Sequence, residues 1–109
     1  MEQDLQVVSL EGDAGVTSVQ AVKKRFTEAL DSSAKVLVNL SHVSGIDLAG
    51  VQLLYAAKRE AHSRGVEFHL TGTVSDAVRE ALEAGGFVQQ APSDARELES
   101  VLLDFEDNA

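Results

Sequence analysis

Four residues near the expected ends of strands have the types needed for magnesium-dependent phosphorylation of an aspartate. Glu11 and Asp13 follow the first apolar run, Asp47 follows the second, and Thr71 ends the third. Such chemistry also needs a lysine after the last strand to neutralise the phosphoryl oxygens. The four lysines are Lys23, Lys24, Lys35 and Lys58, and the last predicted strand and its loop contain none. Asp47 also lies seven residues beyond Leu40 rather than at the strand's tip, so we reject this activity.

The other residue types that commonly do chemistry show no functional spacing. His42, His62 and His69 are not paired four residues apart on a helix, and no further carboxylate completes a metal site by spacing. The absence of cysteine excludes thiolate nucleophiles and thiolate metal ligands, and the chain has no phosphate-binding or nucleophile-elbow motif. The sequence therefore predicts a protein that is not an enzyme and holds neither a metal nor a cofactor.

Length, composition and charge limit the class of protein. The 109 residues, 44% of them hydrophobic, suffice for one domain, which we place at residues 4–106 with a flexible tail at 107–109. A net charge of -9 disfavours binding to nucleic acid or anionic membranes. No apolar run approaches the ~20 residues that span a bilayer, and there is no leader-like start. We expect a cytoplasmic protein without membrane insertion, and the lack of cysteine fits a reducing compartment.

Four apolar runs predict strands. Residues 5–10 contain β-branched valines, and residues 35–40 form the continuous apolar run of a strand that is covered on both faces or central in a sheet. Residues 66–72 alternate between apolar and polar side chains, as expected of a strand with one face in the core. Residues 87–90, FVQQ, predict a brief last strand.

A helical pattern follows each of the first two strands. Thr17 and Gln20 can form a capping box at the start of the first helix. The second helix is expected to run from about Leu48 to His62, and Gly65 supplies its C-terminal stop. These two helices have short connections to their strands, which is typical of strand–helix–strand units.

Two further helices are predicted in the second half of the chain. Ser75 caps a third helix that ends at the glycines 85–86. Pro92 and Ser93 open a last helix. Its apolar positions are Leu98, Val101, Leu102 and Phe105. Strand and helix thus alternate four times, which predicts a single α/β domain with about four mostly parallel strands and about four helices.

The segment before the second helix has an unusual composition for a loop at a strand's end. Asp47 directly precedes the helix, so its carboxylate can accept from the N–H of Ala49 or Gly50. Glycine in a first helical turn costs about 1 kcal/mol relative to alanine, which leaves two interpretations of Gly50: close packing of the helix on its own sheet, or close approach by a partner. A phosphorylated hydroxyl at position 49 would block a docking surface, but alanine has no hydroxyl.

These segments resemble the STAS family, which includes bacterial anti-sigma factor antagonists and the cytoplasmic tails of anion transporters. The strongest element is VLVNLSHVSGIDLAGVQLLYAAKREAHSRGVEFHLTG, which is similar to the family's strand, its aspartate-serine-serine-glycine loop, and the helix and strand that follow. SDAVREALEAGGF matches the next helix and its glycine-phenylalanine ending. The likeness covers most of the chain, and it implies a STAS-like fold and a role as a protein-interaction module.

The resemblance assigns roles within the loop and also marks departures from the family. Asp47 and Gly50 match the motif's aspartate and glycine, whereas Leu48 stands at the first serine and Ala49 at the serine that other members phosphorylate. The family's second acid after the first strand is also missing, since Gly15 stands near that place, and one strand precedes the first helix where many relatives have a hairpin. Ser41 and Ser44 lie before the helix and lack its anion-holding geometry. The implied partner-binding residues are Ser44, Gly45, Ile46, Asp47, Leu48, Ala49 and Gly50.

The resemblance leaves the partner open. One hypothesis is a module of the anti-sigma factor antagonist type that acts in signal transduction and transcription regulation by binding a switch-kinase-like protein without serine phosphorylation. The alternative is a cytosolic STAS subunit of an ABC transporter, such as a lipid transporter, or of a chemotaxis-type signalling assembly. A nucleotide or lipid at the helix starts near Asp47 and Ser75 is a third hypothesis, which no motif supports.

Overall fold

The computed structural model describes residues 3–14 and 19–103. Three strands alternate with helices, and two helices follow the third strand in succession. The elements are β1 (Gln3–Ala14), α1 (Val19–Ser32), β2 (Ser33–Ile46), α2 (Leu48–Arg64), β3 (Glu67–Thr71), α3 (Asp76–Ala84) and α4 (Ala95–Leu102). This order confirms the predicted α/β domain, and none of the helices in the described ranges has the length and hydrophobicity of a membrane span.

Within the described ranges the sheet has three strands in the order β1–β2–β3, and both pairs are parallel. Val38 at the centre of β2 lies between Val8 of β1 and Leu70 of β3 in the register. Each parallel pair is joined by one helix, as a parallel connection requires. The predicted parallel sheet is therefore confirmed.

One face of the sheet is buried and the other is open. The buried face carries Val8, Val36, Val38, Phe68 and Leu70. The Phe26 ring of α1 meets the Phe68 ring edge to face, with centroids 5.9 Å apart, so α1 lies over this face. On the opposite face Leu5 and Val7 are exposed.

β1 and β2 are longer than the strands that the apolar runs at residues 5–10 and 35–40 predicted. β2 continues from Leu40 to Ile46 through a segment of serine, histidine and glycine, where the register with β1 shifts between Ser9 and Glu11. A shift of this kind inserts an extra residue and changes which side chains face the core. Val43 is buried after it, three residues beyond Leu40. The alternation that sequence patterns rely on is therefore lost in the part of β2 that leads to the candidate loop.

Residues 87–90 do not form the predicted last strand. The chain turns back along α3 instead, because the N–H of Ala91 donates to Glu83 Oε2 at 2.7 Å and Arg79 Nε donates to the Ala91 carbonyl at 2.9 Å. Phe87 and Val88 still pack against the core. Side chains of α3 therefore satisfy main-chain groups that a sheet would otherwise pair.

The predicted helix ends are confirmed in part. Gly65 ends α2 in the left-handed conformation, and Ser75 Oγ accepts from Val78 N at 3.2 Å to cap α3. The last helix starts two residues later than Pro92 and Ser93 suggested, because Asp94 is its cap and accepts from Arg96 N at 2.7 Å. Thr17 of the predicted capping box, Gly15, Phe105 and the tail 107–109 lie outside the described residues.

Candidate functional site

The start of α2 is organised by Asp47. Its backbone is extended, and its Oδ1 accepts from the Gly50 N–H at 3.1 Å. This is the predicted cap, and such an interaction is worth about 1 kcal/mol. The carboxylate therefore serves to begin the helix where β2 ends.

The predicted partner-binding residues differ in exposure. Ser44, Asp47 and Leu48 are exposed, Gly45, Ile46 and Ala49 are half-buried, and Gly50 is buried. Ile46 packs against the hydrophobic core, and the burial of Gly50 agrees with packing of α2 on its own domain. The solvent-facing surface of this segment is therefore formed chiefly by Ser44, Asp47 and Leu48.

Leu48 is the most conspicuous of these residues. It is 56% exposed although it is a large apolar side chain at the first position of α2. Tyr55 is also exposed and lies seven residues later, so both side chains project from one side of the helix. Gln52, which lies between them in sequence, and Arg59, one turn after Tyr55, are exposed on the same side. We call these four residues the α2 outer face. Sequence analysis missed its extension beyond Gly50, although the spacing of 48, 52, 55 and 59 contained the signal.

The structure separates the residues considered for phosphoryl transfer. Thr71 pairs with Asn39 of β2, whereas Asp47 follows the end of β2, which lies seven residues beyond Asn39 at Ile46. At 3.3 Å per residue this amounts to roughly 20 Å along the strand. Lys58 is held in an ion pair with Glu99 at 2.5 Å. Glu11 lies on β1 opposite His42, and the side chain of Asp13 lies outside the described part of the structure.

The histidines do not assemble a metal site. His69 Nδ1 lies 3.0 Å from Glu99 Oε2, and its Nε2 lies 3.4 Å from Glu67 Oε1. His42 is exposed on β2, and His62 lies in the last turn of α2. Within residues 3–14 and 19–103 no three histidine or acidic side chains come together in a metal-binding arrangement.

Glu99 of α4 is a second ordered polar centre, which sequence analysis did not identify. Its side chain is only 12% exposed, and it accepts from Lys58 Nζ at 2.5 Å and from the Leu70 N–H at 2.9 Å. Burial by itself raises the pKa of Glu99, but hydrogen bonds from Lys58, Leu70 and His69 and the charge of Lys58 bring this pKa below its ordinary value. The partners are 29 to 41 residues away in sequence, so no local pattern reveals the site.

Comparison with known proteins gives a family and a fold. A family model described as "Mlab, STAS domain" matches residues 1–101. No curated protein sequence matches the chain. Among solved structures, the anti-sigma factor antagonist SpoIIAA in its unphosphorylated form superimposes with a TM-score of 0.63 and 17% identity, over 98% of this chain and 95% of SpoIIAA.

Two structures from transporter proteins are also similar. The SulP transporter STAS domain from Vibrio cholerae gives a TM-score of 0.57 with 20% identity, over 92% of this chain and 81% of that chain. A sulfate transporter family protein from Wolinella succinogenes gives 0.53 with 22% identity, over 78% and 69%. At these identities the structural matches establish the fold alone.

Proposed function

The chain belongs to the STAS domain family, and from that premise we propose that it is a non-enzymatic module that binds a protein partner constitutively through the start of α2. The proposed contact surface comprises residues 44–50 and continues along the α2 outer face. The observation that carries the proposal is the exposure of Leu48, at 56%, on a helix start that Asp47 fixes in place. Leu48 and Tyr55 together expose apolar surface on one side of α2, which suits docking of a partner better than a chemical reaction.

The absence of a hydroxyl at position 49 supports constitutive binding. Ala49 is the second residue of α2, where a phosphate would add about two negative charges at the helix start. Alanine prevents that modification and keeps the surface small and uncharged at this point. The proposal therefore expects no on–off switch at position 49.

A partner of the anti-sigma type is the first candidate, supported by the fold similarity to SpoIIAA over 98% of this chain. A transporter is the second candidate, because the family model carries the description "Mlab, STAS domain" and two of the similar structures come from transporter proteins. The two candidates use the same surface in this proposal and differ in what binds it.

The experiment compares capture of the partner by four forms of the chain. Leu48→Ser and Ala49→Glu alter the proposed surface, and Val101→Ser is a matched control, because Val101 on α4 is also a 56% exposed aliphatic residue. Each form is immobilised and exposed to a lysate of cells whose genome encodes the wild-type protein. The recovered proteins are quantified by mass spectrometry.

We expect a protein that the wild type and Val101→Ser retain equally and that both surface variants lose. A recovered kinase of the anti-sigma type supports the first candidate, and a recovered transport ATPase or transporter supports the second. Isothermal calorimetry with the purified partner then measures the loss. Equal affinity for wild type and Ala49→Glu refutes the proposed surface.

A further inference from the structure

The two edges of the sheet differ in how their main-chain groups are protected. At the β3 edge, the Leu70 N–H donates to Glu99 Oε1 at 2.9 Å. Lys58 Nζ donates to the Phe68 carbonyl of the same strand at 3.2 Å. At the outer edge of β1 the described chain provides no such cover, because no strand pairs there and no side chain or loop bonds to the main chain of residues 5–12. An uncovered edge is a template for pairing with another strand.

The outer edge of β1 also lacks the sequence features that usually prevent an edge strand from pairing. Residues 5–10, LQVVSL, contain no charged side chain and no proline. β1 keeps one register with β2 from Gln3 to Ser9, and the shifts that would bend the strand come only after Ser9. The first part of β1 is therefore a regular edge strand whose residues 5–10 are uncharged.

Apolar side chains on the open face of the sheet extend to this edge. Leu5 and Val7 are 47% and 53% exposed, and they are two of the five large hydrophobic residues that are exposed in the described chain. Leu37, which is opposite Val7 in the register with β2, is half-buried on the same face. A strand that pairs with β1 would place its own side chains beside Leu5 and Val7 and so remove apolar surface from water.

Charge and symmetry indicate that the strand which pairs here is β1 of a second copy. Each copy has a net charge of -9, so two copies approach most favourably where neither carries charge, and residues 5–10 are such a segment. Antiparallel pairing of a strand with itself is two-fold symmetric, as in most homodimers. It gives the free N–H and carbonyl groups of one edge their complements on the same edge of the other copy.

We infer that β1 pairs antiparallel with β1 of a second copy, so that two three-stranded sheets become one sheet of six strands. Residues opposite each other must lie on the same face, and the register with Val7 opposite Val7 keeps residues 5–9 of both copies together with no acid opposite another. The interface is small, below roughly 1,200 Å² in total, so we expect a dissociation constant above about 1 µM. The inference does not rest on the proposed function, because residues 3–9 pair with residues 33–39 of β2, away from residues 44–50.

Sedimentation equilibrium at concentrations up to about 1 mM measures the dimer. Val7→Glu places two carboxylates opposite each other on the two-fold axis, and Val101→Glu is the control because it makes the same change in charge at a similarly exposed valine of α4. We expect wild type and Val101→Glu to dimerise alike, and Val7→Glu to dimerise roughly tenfold more weakly or worse. Val7→Lys alone should also be weakened. An equimolar mixture of Val7→Glu and Val7→Lys should recover the dimer, because opposite charges then face each other.

Isotope-filtered NMR of the wild type provides a second measurement that needs no variant. In a mixture of ¹³C-labelled and unlabelled chains, we expect NOEs between the Val7 methyl groups of different copies, because opposed Cβ atoms lie about 4.5–5.5 Å apart. The inference is overturned by a wild type that stays monomeric at the highest concentration, or by equal dimerisation of Val7→Glu and Val101→Glu. It is also overturned by a mixture that dimerises no better than its components, or by a wild-type dimer without NOEs between copies at Val7.

Discussion

Replacement of Gly72 by alanine should destabilise the domain far more than replacement of Gly65. Both glycines have positive φ, at 92° and 74°, so alanine is strained at either position. A Cβ on Gly65 meets nothing within 4 Å, whereas a Cβ on Gly72 comes within 2.5 Å of Asn39 Oδ1 and closer still to Ser41 Oγ. Gly72 therefore combines backbone strain with a collision, and Gly65 has the strain alone.

The atoms that Gly72→Ala would displace form the hydrogen bonds that connect β2 to the segment after β3. Asn39 Oδ1 accepts from the Ser41 N–H at 2.9 Å, and Ser41 Oγ accepts from the Thr73 N–H at 3.1 Å. Left-handed strain costs roughly 1–2 kcal/mol, and each displaced hydrogen bond about 1 kcal/mol. We therefore expect a loss of about 3 kcal/mol for Gly72→Ala and about 1 kcal/mol for Gly65→Ala.

Thermal unfolding followed by circular dichroism measures the difference. For 109 residues the unfolding entropy near the midpoint is about 0.23 kcal/mol/K, so 1 kcal/mol corresponds to about 4 °C. The expected decreases in Tm are therefore about 13 °C for Gly72→Ala and about 4 °C for Gly65→Ala. Equal decreases for the two variants would show that the side chains of Asn39 and Ser41 do not collide with a Cβ at position 72.

Three further predictions concern individual interactions. Asp47→Ala should lower the free energy of unfolding by about 1 kcal/mol, whereas Asp47→Asn, which keeps a capping oxygen, should lower it by much less; urea titration measures both. The stability advantage of wild type over Glu99→Gln should be complete above the ordinary glutamate pKa of 4.5. It should disappear as the pH falls through the lowered pKa of Glu99 in the folded protein, because protonation removes the charge that Lys58 pairs with. Urea titrations across this pH range measure whether the advantage falls with pH. Phe68→Leu should cost roughly 1–3 kcal/mol by removing the edge-to-face contact with Phe26, and an unchanged urea midpoint would contradict that contact.

Local sequence signals predicted the elements whose stabilising groups are close in sequence. The Asp47 and Ser75 caps involve groups three residues away, and the Gly65 stop closes onto Ala61 and His62. Such interactions depend on the identity and spacing of a few neighbouring residues, so the boundaries of α2 and the start of α3 could be read from the sequence.

The elements that sequence analysis missed depend on distant partners or on an interrupted pattern. FVQQ has apolar residues suited to a strand, but the main chain that follows is held by Arg79 and Glu83 of α3. Glu99 is one of two acids on a short helix, and its role depends on Lys58 and Leu70. Strand propensity describes the conformation that a segment favours in isolation, and contacts with side chains of other elements outweigh it here.

Ala49→Glu at the start of α2 should change the stability of the domain and its affinity for a partner in different directions. A glutamate at position 49 places a negative charge in the first turn of the helix, where the helix dipole stabilises it by about 0.3–1 kcal/mol. Ala49→Glu should therefore leave the domain equally or slightly more stable. The same charge next to Leu48 should weaken docking of a partner, because an apolar contact would then have to desolvate a carboxylate. A variant that is no less stable and yet loses its partner places the effect on the surface, since unfolding would lower both.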